Sequence, residues 1–141
     1  LREIAVGSLR GGRVFYFSCD TTHDALPDAG VYDTALYNLE SLLGIPFGMT
    51  REEQFRSCET RSVHAMAMAG VALDDAGHPV KWVAENSFGP DCGTDGYVTL
   101  SDEWFARYLF RLVVERQFLP DSLQDCPSRK PVRIPDWNPN Y

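Results

Sequence analysis

The sequence predicts an α+β domain built on an antiparallel, barrel-like sheet with flanking helices. Its 141 residues, 44% hydrophobic and 23% charged, supply one globular domain's core, which excludes a disordered tail or a multidomain assembly. In the second half, strand-like runs are joined by loops too short for crossover helices, so neighbouring strands should run antiparallel. The clearest of those loops is Asp75-Ala76-Gly77, three residues with glycine last, between apolar runs at 64–74 and 81–86.

The first element is a helix over residues 2–9, with Ile4, Ala5 and Leu9 on one face and Gly11-Gly12 as its stop. Residues 14–19 are β-branched and aromatic on both faces and run into a polar segment, the pattern of a central strand buried on two sides. Residues 25–48 are rich in Pro and Gly with one helical patch at 36–43, which reads as a long surface excursion. Thr50 and Glu53 have capping-box spacing and start a short helix reaching about residue 59. After the hairpin come a strand over 96–100, a helix with Ser101 as N-cap, and a stretch at 110–118 that reads as helix passing into strand. From Pro120 the chain is polar and carries Pro127, Pro131, Pro135 and Pro139, which fits an extended tail on the surface. The organisation is therefore a folded lobe over 1–119 and a Pro-rich tail over 120–141.

Composition removes several function classes. A net charge of −7 is a poor match to a phosphate backbone, so nucleic acid is not expected as the main partner. No run approaches the ~18 apolar residues of a membrane helix. Leu1 and the residues after it show neither an initiator Met nor signal-peptide zones, and the expectation is a fragment whose start was cut away. Cys19, Cys58, Cys92 and Cys126 lack zinc-ligand spacing, so no metal site is expected. Two disulfides would suit a secreted domain, but reduced thiols in a cytoplasmic protein are the preferred reading.

The hairpin also fixes a geometry. If Asp74 pairs with His78, paired positions sum to 152, which sets Asn86 opposite Met66 and His64 opposite Phe88. His64, Met66, Asn86 and Phe88 then share a face, with His64 and Asn86 about 7 to 8 Å apart on the diagonal. An amide oxygen that accepts from one ring N–H fixes the imidazole's tautomer and leaves the other nitrogen free to take a proton from a thiol. The competing reading of the pattern is a buried His and Asn that merely satisfy one another.

The wording around these residues favours the first reading. Val63-His64-Ala65-Met66, Glu85-Asn86-Ser87-Phe88-Gly89 and Gly93-Thr94-Asp95-Gly96-Tyr97, in that order, resemble the His and Asn segments of papain-like cysteine peptidases. Trp82-Val83-Ala84-Glu85-Asn86-Ser87, Leu100-Ser101-Asp102-Glu103-Trp104-Phe105 and Ile134-Pro135-Asp136-Trp137-Asn138-Pro139 most resemble the bleomycin hydrolase and aminopeptidase C family. The stretch at 12–20 fits too, and only residues 21–62 match more loosely.

The resemblance implies that His64 is the catalytic base and Asn86 its orienting residue. Phe88 stands where the family has a Trp that shields the pair, and Gly89, Gly93 and Gly96 provide the loop's positive φ or close approach. It also implies that the nucleophilic Cys and the oxyanion-hole Gln lie in an upstream part absent from this chain. None of the four cysteines has the family's Cys-Trp context; they read as structural or incidental thiols, with Cys92 the exposed, oxidisable one. The tail residues Pro135, Asp136, Trp137, Asn138, Pro139, Asn140 and Tyr141 take the place of a segment lying in the cleft, which limits substrates to peptides with a free N-terminus. A hollow homo-hexamer, a cytoplasmic location and no metal or organic cofactor follow from the same resemblance. The chain alone should be inactive. A non-catalytic binding or assembly module on the same fold is the alternative, and a third reading makes one of the present thiols the nucleophile. His23 and His78 read as solvated loop residues, and Asp74, Asp75, Asp102 and Glu103 as turn and helix-start residues.

Overall fold

The computed structural model describes residues 1–138. Helix α1 (Arg2–Arg10) is followed by strands β1 (Phe15–Cys19), β2 (Ala25–Leu26) and β3 (Val31–Tyr32), then by helices α2 (Leu39–Leu43) and α3 (Arg51–Arg56). The second half runs β4 (His64–Leu73), β5 (Pro79–Glu85), β6 (Tyr97–Ser101), α4 (Asp102–Tyr108) and β7 (Leu109–Val113). Among the described residues the strands form one sheet in the order β2-β3-β6-β5-β4-β1-β7. Every pair is antiparallel except β3 with β6. The α+β class and the antiparallel sheet expected from the sequence are therefore what the chain forms, with one parallel pair added.

Local chemistry accounts for the helix ends. Thr50 accepts from the Glu53 backbone N–H while the Glu53 side chain accepts from the Thr50 N–H, so the capping box is complete. Ser101 accepts from the Trp104 N–H at 3.3 Å and turns β6 directly into α4. That abrupt entry drives Trp104 and Phe105 into the core, where both are fully buried. Phe105 stacks on buried Trp82 at 4.4 Å and meets Phe17 edge-on at 5.9 Å, and burying each such ring stabilises the fold by about 2 to 3 kcal/mol.

The β4–β5 hairpin holds the expected register at both ends and departs from it in the middle. Leu73 pairs with Pro79 and Met68 with Ala84, both summing to 152, whereas Gly70, Val71 and Ala72 pair with Val83, Trp82 and Lys81. Ala69 is an extra residue in β4 and Val80 an extra residue in β5, two bulges that cancel.

Three expectations are corrected. Strand β1 is second from an edge rather than central, and Tyr16 points half-exposed to solvent, so the strand is not buried on two sides. The 25–48 excursion contains β2 and β3, and its helix is shortened to Leu39–Leu43 by the Asn38 cap. The helix-to-strand passage falls at Tyr108 and Leu109, so residues 110–113 are already strand and residues 116–118 form a short 3-10 turn. Phe110 is the extra residue opposite the Ser18–Cys19 step. Its ring lies 6.0 Å from Phe55 and 4.6 Å from the Arg51 guanidinium, which also donates to the Arg107 and Leu109 carbonyls.

Candidate active site

His64 opens β4, opposite Cys19 at the end of β1, and Asn86 follows the last residue of β5. Pairing of Met68 with Ala84 and of Ala67 with Glu85 puts both side chains at the same end of the hairpin. The His64 Nε2 and the Asn86 Oδ1 are 2.9 Å apart. Since a side-chain amide oxygen only accepts, Nε2 carries a proton and donates, and in the neutral ring Nδ1 keeps its lone pair. Among the described residues no hydrogen bond engages that Nδ1.

Asn86 is 6% exposed, and both ends of its side-chain amide are engaged. The Ser87 N–H donates to Oδ1 at 2.8 Å, Nδ2 donates to Cys92 Sγ at 3.5 Å, and the backbone N–H donates to the Gly96 carbonyl at 2.8 Å. Phe88 stacks on the His64 ring at 4.8 Å with 29° between planes, yet is itself 65% exposed, so it covers one face of the imidazole as an outer flap. Gly89, Gly93 and Gly96 all take positive φ. At Gly93 close approach adds to this, because a Cβ there would sit 2.3 Å from the Tyr97 carbonyl oxygen.

The thiols divide differently from the expectation. Cys58 and Cys126 are exposed, Cys92 is half-buried between Asn86 and the Pro27 carbonyl, and Cys19 is fully buried. Cys92 is thus not the exposed thiol, because the loop carrying it folds back beneath Asn86. Burial, and next the neighbouring Asp20 carboxylate, push the Cys19 thiol up to about 12, which makes it an inert core group although it lies opposite His64.

His23, expected in solvent, instead stacks on Tyr108 at 5.5 Å. Its Nε2 is 3.2 Å from the Glu59 carbonyl and 3.6 Å from Asp20 Oδ2. A concavity of about 760 Å³ is lined by His23, Asp24, Tyr37, Arg107 and Tyr108 among others, and His64 is not part of it. His78 is exposed and pairs with Asp74. Sequence reasoning missed the His23 and Cys92 contacts; the one signal for the second was the density of Gly at 89–96.

The tail residues Pro135, Asp136 and Trp137 are exposed, and Asn138 closes a turn by donating its N–H to the Pro135 carbonyl at 2.9 Å. Pro139, Asn140 and Tyr141 lie outside the described residues. Among the described residues no group of three or more His, Cys, Asp and Glu could hold a metal, and no helix is long and apolar enough to cross a membrane.

The sequence model of the Peptidase C1-like family matches residues 1–140. The chain belongs to this family. Within it, the chain is 32% identical to aminopeptidase C of Lactococcus lactis subsp. lactis (strain IL1403) over 98% of its own length and 32% of the relative's. It is 31% identical to bleomycin hydrolase of Homo sapiens over 99% of its length and 31% of that protein's. The crystal structure of PepW from Lactobacillus rhamnosis HN001 (DR20), determined as the selenomethionine derivative, superposes with a TM-score of 0.90 at 34% identity. That match covers 97% of this C1-like chain and 31% of PepW. The chain thus spans about a third of the length of the relatives it matches.

Proposed function

We propose that the chain is the His/Asn-bearing lobe of a cysteine-type aminopeptidase, with the nucleophilic thiol supplied by a part of the polypeptide upstream of Leu1. The observation that carries this reading is the 2.9 Å contact between His64 Nε2 and Asn86 Oδ1, which leaves Nδ1 as the free basic nitrogen. In the reaction His64 Nδ1 takes the thiol proton, and the resulting thiolate attacks the amide carbonyl of the substrate. The imidazolium then gives the proton to the departing amine, and a water deprotonated by His64 releases the acid. Asn86 holds the ring in the required tautomer throughout, and the stacked Phe88 keeps water off one face of the ring.

Support for a thiol from outside the chain comes from the four thiols within it. Cys19 is buried and protonated, Cys92 is committed to Asn86 and Pro27, and Cys58 and Cys126 lie in exposed segments. The lobe over 1–119 holds the pair and the tail over 120–141 the substrate-limiting segment, so that peptides with a free N-terminus are the substrates. Its four unpaired thiols suit the reducing cytoplasm. A homo-hexamer is the assembly we assign to the full-length enzyme, on the strength of the bleomycin hydrolase and aminopeptidase C resemblance.

The deciding experiment uses the full-length enzyme and an aminoacyl fluorogenic substrate. His64→Ala is expected to lower turnover by roughly three powers of ten or more, as loss of the base in a nucleophile–base pair does. Turnover near wild type overturns the assignment. The coding sequence before Leu1 should also specify a Cys-Trp pair six residues after a Gln; its absence favours a binding module on the same fold.

A further inference from the structure

We propose that Cys92 is a positioning residue for the His64–Asn86 pair: its sulfur, together with the Ser87 N–H, selects which end of the Asn86 amide faces the imidazole. The two ends of a carboxamide have nearly the same shape and opposite hydrogen-bonding character. With Oδ1 toward His64, the ring carries its proton on Nε2 and keeps Nδ1 basic. With the amide reversed, Nδ2–H faces the ring, the proton moves to Nδ1, and the nitrogen that must accept a thiol proton is blocked. The choice between these states therefore decides whether the pair can work at all.

Two contacts make the choice. The Ser87 N–H donates to Oδ1 at 2.8 Å, and Cys92 Sγ accepts from Nδ2 at 3.5 Å. The second contact has a fixed sense, because the thiol's own proton is engaged by the Pro27 carbonyl at 3.3 Å. Sulfur consequently presents lone pairs to Asn86 and would leave a reversed Oδ1 facing an acceptor. No other hydrogen bond from Nδ2 is seen among the described residues, so Cys92 is the acceptor for that end of the amide.

Backbone shape holds the thiol there. Asp95 and the three loop glycines with positive φ curl residues 89–96 back under Asn86, and Gly96 N–H donates to the Cys92 carbonyl at 3.1 Å. From the other side the turn closed by Gly30 N–H to the Pro27 carbonyl, 3.0 Å, presses on this loop. A Cβ on Gly30 would come within 2.6 Å of Gly93 Cα, so the two turns pack without room for a side chain. The Pro27 carbonyl is thereby delivered to Sγ from a hairpin 65 residues away in sequence.

The activity part of the test rests on the reading of His64 as the base; the spectroscopic part does not. Ring 15N shifts separate the Nε2–H and Nδ1–H tautomers of neutral histidine, and the chain has only three histidines to assign. In the 15N-histidine-labelled chain, wild type should show His64 as Nε2–H. Cys92→Ala and Cys92→Val should shift the tautomer ratio about fivefold toward Nδ1–H, the worth of one ordinary hydrogen bond, and Cys92→Ser should restore it. In the full-length enzyme, Ala and Val should lower kcat about two- to fivefold at constant KM, with Ser again recovering it. An unchanged tautomer in both Ala and Val, or a Ser variant that behaves as Ala does, overturns the inference. If Val does not fold, Ala, which only removes an atom, carries the test. A tautomer shift combined with full turnover of His64→Ala would sink the proposed base while leaving the positioning role of Cys92 intact.

Discussion

His64 and His23 each lie against an aromatic ring, Phe88 at 4.8 Å and Tyr108 at 5.5 Å, and each places Nε2 near an oxygen, at 2.9 Å from Asn86 Oδ1 and 3.2 Å from the Glu59 carbonyl. Their second neighbours differ. Behind His64 stands a neutral amide with both ends engaged, so that ring is oriented without being charged by its partner. Beside His23 stands Asp20, a fully buried carboxylate that already accepts from Thr22 N and Oγ1, Thr60 Oγ1 and Arg61 N at 2.6 to 3.0 Å. His23 also faces the 760 Å³ concavity, which His64 does not line. The two partners therefore differ in capacity: an amide can set a tautomer, whereas a saturated carboxylate binds a loop together.

The largest expected effect separates the two rings directly. In the full-length enzyme, His64→Ala should lose roughly three powers of ten or more in turnover, and His23→Ala should stay within about threefold of wild type. Comparable losses in an aminoacyl substrate assay would break the comparison. The partners should separate in the opposite sense on stability. Asp20→Ala strands the donors of Thr22, Thr60 and Arg61 and should cost about 3 kcal/mol, read as a lowered urea midpoint. Asn86→Ala should reach only about 1 kcal/mol on that scale, and in the assay it should lower kcat about ten- to a hundredfold, less than His64→Ala, because water or a carbonyl can partly orient the ring.

A smaller effect sharpens the contrast through pH. Burial alone would raise the Asp20 carboxyl, but hydrogen bonds from Thr22, Arg61 and Thr60 outweigh it and hold the group below its ordinary value of 3.8. The unfolded chain thus binds the proton first. The carboxylate's contribution is complete above the ordinary value and is lost as pH falls through the lowered one. The difference in urea midpoint between wild type and Asp20→Asn should accordingly narrow below about pH 4. A constant difference from pH 6 to pH 2 would show that the charged form is not what the four donors hold.

Much of this was legible in the sequence where one strong local signal fixed a long-range fact. The Asp75-Ala76-Gly77 loop was enough to bring His64 and Asn86 to one end of a hairpin, and Thr50 with Glu53 to start α3. Two-residue strands such as β2 and β3 carry no periodicity, and β3 reaches β6 by parallel pairing that no local pattern encodes. The exposure of Tyr16 was hidden because an aromatic at the half-wet face of a strand spells the same as one in a core. The contacts of Cys92 and His23 come from loops folding onto distant backbone, Pro27 and Glu59, whose carbonyls have no side-chain signature.

The paired bulges in the β4–β5 hairpin set a rule for how this protein can change length. Side chains alternate along a strand, so an odd number of residues inserted or deleted between the turn and the site reverses which way Asn86 points relative to His64 unless a bulge absorbs the step. Ala69 and Val80 are one such odd step on each strand, and together they make an even one. Removing Ala69 or Val80, singly or together, should close the bulge and leave the flanking pairs opposite each other, so that His64 keeps facing Asn86, whereas an odd step that forms no bulge should turn one partner away. Among descendants of a common ancestor, hairpins of different length that keep this pair are thus expected to differ by matched steps on both strands or by a bulge that absorbs the odd one, a parity check written into the backbone.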